Sequence, residues 1–162
     1  MVTAVSADQV RKVAASVVDP EIPVLTIEEL GILRDVRVDE HGHVDVDITP
    51  TYSGCPALDA IRQDVQARFQ ESGYTDVSVH TVLSPAWTTD WLSETARRKL
   101  LQHGIAPPRR RDSKLQLLQL AVACPNCGAV ETSEVARFAS TACQALRRCS
   151  ACSEPFPHFK EH

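Results

Sequence analysis

Two cysteine pairs, Cys124-Pro125-Asn126-Cys127 and Cys149-Ser150-Ala151-Cys152, restrict the possible folds of this chain more than any other feature. A two-residue gap lets both sulfurs of a pair turn toward one ion while nearby backbone N–H groups temper the thiolate charge. Two such pairs, separated by 21 residues, complete a tetrahedral S4 donor set with metal–sulfur bonds of about 2.3 Å. Zinc is the expected ion, in a closed and therefore structural site, although the same donors also suit iron or an iron–sulfur cluster. The surrounding segment has few large apolar side chains, so without a metal it would have too little core to fold. Residues 109–162 are expected to form a C-terminal four-cysteine zinc ribbon.

Clustered thiols of this kind belong in a reducing compartment. The polar residues from Ser6 onward do not suit a secretory leader, and no apolar run approaches the roughly 18 residues of a membrane span. The expectation is a cytoplasmic protein with no membrane partner. Residues 1–108 carry a net charge of −7 and residues 109–162 one of +3. Four thiolates around Zn²⁺ would subtract two more, which leaves no basic stripe for nucleic acid.

Periodicity organises the first 108 residues. Ser6 with Gln9 reads as a capping box opening a helix with Val10, Val13, Ala14 and Val17 on one face, ended by Pro20. Thr26 with Glu29 repeats the box on a short turn closed by Gly31. Val36 and Val38, then Val44, Val46 and Ile48, alternate with polar residues around a turn at 39–42, which predicts a hairpin with one buried face. Cys55 is the expected N-cap of a helix begun by Pro56 and carrying Leu58, Ile61, Val65 and Phe69. Val77, Val79, Thr81 and Leu83 read as a third strand, and a last helix is expected from about Asp90 to His103. The order α-β-β-α-β-α with a three-stranded sheet indicates an α+β domain over 1–108, followed by the ribbon. Arg109-Arg110-Arg111-Asp112 is the expected linker, and Leu115, Leu117, Leu120 and Val122 read as a strand leading into the first cysteine pair.

Several residues have chemistry beyond folding. A thiol at a helix N-terminus, as Cys55 would be, feels the positive end of the dipole, which lowers its pKa. Gly54 would let another backbone or a ligand come close. Asp19 and Glu21 flank Pro20 in a loop stiffened by Pro23, and could be solvated acids or ligands. Cys143, six residues before the second cysteine pair, is expected on a ribbon strand, with an accessory thiol role as the alternative. Trp87 and Trp91 read as core residues, or as an interface if exposed. His41 and His43 lie in the hairpin turn and His80 on a strand, so no histidine is placed to activate a cysteine nucleophile.

Val18-Asp19-Pro20-Glu21-Ile22-Pro23, the Leu30-Gly31 turn, the valine-rich hairpin and Thr51-Tyr52-Ser53-Gly54-Cys55-Pro56 together resemble the SufT-like iron–sulfur assembly factors. Trp87-Thr88-Thr89-Asp90-Trp91-Leu92, Gly104-Ile105-Ala106-Pro107-Pro108, Ser140-Thr141-Ala142-Cys143, the four-cysteine ribbon and Glu154-Pro155-Phe156 extend this to the PaaD family, encoded with the multicomponent phenylacetyl-CoA epoxidase of phenylacetate degradation. The resemblance implies a non-catalytic accessory factor that delivers or repairs iron or iron–sulfur clusters. Cys55, Asp19 and Glu21 would then handle iron or a cluster, and the partners would be the oxygenase or the [2Fe–2S] reductase of that system. One thiol cannot hold a cluster, so a homodimer, Cys143 or a small thiol would complete the coordination. The rival readings are a structural subunit of the epoxidase and a thiol-dependent enzyme.

Overall fold

The computed structural model describes residues 6–110 and 121–162. The chain divides into two compact units, one ending at Trp87 and the other beginning at Thr88.

In the first unit the central strand sets the architecture. Val44, Val46 and Ile48 of β2 (Val44–Ile48) are fully buried, while Asp45 and Asp47 between them point to the opposite face. β1 (Leu33–Val38) pairs with β2 antiparallel, with Val36 opposite Val46. β3 (Val77–Thr81) pairs with it parallel, with Val46 opposite Val79. Parallel neighbours need a crossover, and α2 (Ala57–Glu71) supplies it. Ala57, Ile61, Val65 and Phe69 recur every four residues on the buried stripe of α2, which contacts α1 (Ala7–Ala15), where Val10 and Ala14 are the buried residues. Each large side chain moved out of water contributes about 1.5–3 kcal/mol. The two helices cover one face of the sheet, and the other face is left to Asp35, Arg37, Asp45, Asp47 and His80.

The expected elements are present, with local differences. Ser6 caps α1 in extended backbone geometry but its side chain makes no capping hydrogen bond, and the helix stops at Ala15 rather than running to Pro20. The second capping box does form: Thr26 N–H donates to Glu29 Oε2 at 3.0 Å and Glu29 N–H to Thr26 Oγ1 at 3.2 Å. β3 ends at Thr81, and Leu83 is 68% exposed. Trp87 is buried and donates Nε1–H to Leu30 O at 2.9 Å, which makes it a core residue.

The second unit begins with a 3-10 turn (Thr89–Trp91), which delays α3 to Glu94–Gln102, capped by Ser93 Oγ accepting from Ala96 N–H. The ribbon follows as an antiparallel sheet in the order β4 (Thr132–Ala136), β5 (Gln144–Cys149), β6 (Pro155–Phe159). Where the sequence set a boundary at 108/109, the compact units divide at 87/88. Main-chain bonds explain the difference. Ala106 N–H donates to Pro157 O and Phe159 N–H to Ala106 O, both at 2.9 Å, so the stretch after α3 lies along β6. The buried Arg97 guanidinium donates to Pro108 O and to Thr89 O, tying both ends of α3 into this unit. Of the expected linker, Arg109 pairs with Glu161 and Arg110 with Glu94, while Arg111 and Asp112 lie outside the described residues. So do Leu115, Leu117 and Leu120 of the expected strand; Val122 is buried but in no strand. No helix among the described residues is long and apolar enough to cross a membrane.

Candidate metal centre and thiol loop

The two cysteine pairs close onto each other at one end of the ribbon. Cys124 Sγ lies 3.8 Å from Cys152 Sγ and Cys127 Sγ lies 3.6 Å from Cys149 Sγ. All four sulfurs are within 4.8 Å of one another. Tetrahedral bonds of about 2.3 Å put sulfurs about 3.8 Å apart, which the Cys124–Cys152 and Cys127–Cys149 separations already match. The first turn is fixed by Gly128 N–H donating to Cys124 O and Cys124 N–H to Ala129 O, both at 2.8 Å. In the second, Cys149 N–H donates to Glu154 O at 3.0 Å. Residues just after the second cysteine of each pair take the left-handed conformation, Gly128 at φ 78° and Ser153 at φ 64°. Glycine adopts this freely, whereas serine is strained there.

The electrostatics of the cage call for a cation. The Glu154 N–H, chiefly, brings Cys152 down to about 7. Cys127 also accepts a backbone N–H, from Ala129, yet Cys149, burial and the remaining sulfurs push it up to about 12. One thiolate forms easily and the next is resisted by it, a conflict that a bound dication removes. Cys124 and Cys149 are buried against Ala106, Val122 and Phe156, whereas Cys127 is exposed.

The other candidate residues lie in the first unit, Asp19 and Glu21 in the loop after α1 and Cys55 just before α2. Asp19 is buried, and its Oδ1 accepts from Glu21 N–H at 2.9 Å and Ile22 N–H at 2.7 Å. It acts as the acceptor that closes the Asp19-Pro20-Glu21-Ile22 turn, with burial raising its pKa against those two bonds. Glu21 is half-buried, its pKa raised by burial and by the Asp19 charge. Both carboxylates lie near enough to Cys55 for their charges to act on the thiol.

Cys55 is half-buried at the start of α2. The first helical residue is Ala57, one later than expected, with Pro56 in the cap position. Ala57 N–H acts on the Cys55 thiol to lower its pKa, but Pro56 stands in the cap position and no side-chain capping bond forms there. Its pKa, however, is raised, contrary to the expected depression. Burial is the largest cause and the charges of Glu21 and Asp19 add to it, outweighing the Ala57 N–H and the Thr51 side chain. Gly54 takes a φ of 80°, which glycine adopts freely, and a Cβ there would meet no atom of the chain within 4 Å.

Cys143 is buried, with Thr141 Oγ1 3.1 Å from its sulfur. It directly precedes β5, six residues from Cys149, or about 20 Å along an extended strand, so it stands apart from the sulfur cage. Two features of these sites escaped the sequence reading. Superimposing the two cysteine pairs would have matched Ser153 to Gly128. The Thr51 contact to Cys55 had no sequence signal.

Similarity to known proteins falls into two parts. Residues 7–80 match the family model described as iron–sulfur cluster assembly protein, and residues 108–160 match the PaaD zinc beta ribbon domain. The crystal structure of a domain of unknown function, DUF59, from Bacillus anthracis superposes with a TM-score of 0.54 at 27% identity, covering 58% of this chain and 90% of that one. The Fe–S protein maturation auxiliary factor SufT of Staphylococcus aureus (strain USA300) is 38% identical over 82 residues, 50% of this chain and 92% of that protein. Fold and site thus define an iron–sulfur-assembly module joined to a zinc ribbon. An Escherichia coli (strain K12) protein, provisionally named as one of the subunits of 1,2-phenylacetyl-CoA epoxidase, is 46% identical over 142 residues, 88% of this chain and 85% of its own length. The chain belongs to the PaaD family.

Proposed function

We propose that this protein is a non-catalytic, cytoplasmic maturation factor that delivers or repairs iron or iron–sulfur clusters for a phenylacetyl-CoA epoxidase. What supports the reading is that the charges of Glu21 and Asp19 act on the half-buried Cys55 thiol. A thiol beside a carboxylate offers iron one soft and one hard donor, enough to hold it transiently but too few to trap it. Asp19 shapes the turn through its two backbone bonds, and Glu21, which makes no side-chain hydrogen bond among the described residues, is the carboxylate available to metal. Cys124, Cys127, Cys149 and Cys152 hold zinc as a structural ion that stabilises the ribbon, and the ribbon offers a docking surface to the oxygenase or reductase client. A single thiol needs further donors for a cluster, which a homodimer or a small thiol would supply.

The test is to purify the oxygenase and reductase from cells carrying the wild-type protein, Cys55→Ala, or no copy, and to measure their iron and sulfide. Under-loaded clients with Cys55→Ala and normal zinc in the variant support the proposal; fully loaded clients overturn it. The name of the Escherichia coli relative, as an epoxidase component, supports a second reading, a structural role in that complex. Fixed-stoichiometry co-purification with the oxygenase, unaffected by Cys55→Ala, would favour that reading.

A further inference from the structure

On the face of the first sheet that the helices leave open, the parallel register of β2 and β3 gathers residues far apart in sequence. Asp45 Oδ1 lies 2.7 Å from His80 Nε2 and 3.6 Å from His43 Nε2. The other nitrogen of His43, Nδ1, lies 2.8 Å from Asp76 Oδ1. In the neutral ring, with Nδ1–H donated to Asp76, Nε2 would carry its lone pair on the side of Asp45. A carboxylate behind an imidazole in this way is the usual outer support of a metal-bound histidine. Arg37, the nearest guanidinium, is held by Asp35 and Asp47.

We propose that His43, Asp45 and His80 form a second metal site, a two-histidine, one-carboxylate face that binds a divalent first-row transition ion, with Asp76 as the positioning residue for His43. This donor set suits octahedral ions that keep water in their open positions. Adjacent ligands at about 2.1 Å from a metal stand about 3.0 Å apart. The Asp45–His80 pair at 2.7 Å already fits and the Asp45–His43 pair at 3.6 Å must close by about 0.6 Å, but the ring nitrogens of His43 and His80 stand more than 4.8 Å apart, so the partly exposed side chains must rotate toward each other by about 2 Å when the ion binds. The site is looser than the cysteine cage, the one group among the described residues whose ligand atoms all lie within 4.8 Å. It is therefore expected to exchange its ion readily. The inference is independent of the role assigned to Cys55.

The experiment titrates zinc-loaded full-length protein with Ni²⁺ by calorimetry. It runs at about pH 8, because Asp76 raises the pKa of His43 and protons would compete at lower pH. Wild type is expected to bind one Ni²⁺ per chain beyond its zinc, with a Kd in the micromolar range and paramagnetic broadening of the His43 and His80 ring signals. His43→Gln and His80→Gln should each weaken binding at least tenfold, and Asp76→Asn about tenfold. His41→Gln should leave it unchanged. Zinc content and thermal midpoint, measured on every variant, separate loss of the site from loss of the fold. Absence of a second equivalent in wild type, or equal binding in folded His43→Gln or His80→Gln, overturns the proposal.

Discussion

Replacing Asp19 by alanine removes the acceptor shared by Glu21 N–H and Ile22 N–H, at 2.9 and 2.7 Å. The Ile22 bond is buried, so its donor cannot turn to water, and stranding such a group costs about 1–3 kcal/mol. The Glu21 bond is part-buried and adds less. Together they put the cost near 2 kcal/mol, which for a chain of this size lowers the melting temperature by about 4–8 °C. Asn at position 19 keeps the Oδ1 acceptor. It weakens two charge-assisted bonds but also relieves the burial of a charge that raises the Asp19 pKa, so its cost should stay within about 0.5 kcal/mol. The sign of the pH dependence follows from the same shift. A carboxyl whose folded pKa is raised stabilises the fold below its unfolded pKa, and that contribution is lost as pH rises through the folded value. Wild-type stability minus that of Asp19→Asn should therefore increase as pH falls from neutrality into the carboxylate range. Urea unfolding of zinc-loaded wild type, Asp19→Ala and Asp19→Asn at several pH values measures all three quantities. If Asp19→Asn were as damaging as Asp19→Ala, charge rather than acceptor geometry would hold the turn and the reasoning would be refuted.

Cys124→Ser and Cys152→Ser should each abolish stoichiometric zinc and unfold the ribbon, since a structural site of this kind contributes on the order of 10 kcal/mol; elemental analysis with full zinc in both would contradict this. Ser153→Gly should relieve left-handed strain at φ 64° and stabilise the second turn by about 0.5–1 kcal/mol, whereas Gly128→Ala at φ 78° should cost about 1–2 kcal/mol. Slower zinc transfer to a chelator from the first variant and faster transfer from the second would check this. Thr26→Ala should cost about 1 kcal/mol through its formed capping box, and Ser6→Ala less than about 0.5 because the Ser6 side chain makes no capping bond; equal melting temperatures would be the adverse result. Glu21→Gln removes one of the charges that raise the Cys55 pKa, so alkylation of Cys55 near pH 8, followed by mass spectrometry, should be faster than in wild type. Unchanged kinetics would show that burial alone holds the thiol protonated.

The sequence by itself determined the elements and the sulfur cage, because both are written in local spacing. Alternation at Val44, Val46 and Ile48 buries one face of a strand whatever its neighbours are, and fourfold recurrence at Ile61, Val65 and Phe69 does the same for a helix. Two residues between cysteines confine both sulfurs to one turn, which left only the meeting of the two turns to the fold. Tertiary structure decided what depends on distance in space. The raised Cys55 pKa is set by burial and by carboxylates more than 30 residues away in sequence, and it reverses what the helix dipole alone would give. Asp19, polar and flanked by proline, gave no local sign that its carboxylate would be enclosed with two backbone N–H groups. The unit boundary at Trp87 follows from main-chain bonds between Ala106 and β6. His43 and His80, placed by sequence on separate elements with no common partner, meet Asp45 because the α2 crossover lays β3 parallel to β2. Register of that kind comes from the packing of α2 on the sheet, and no local pattern along the chain encodes it.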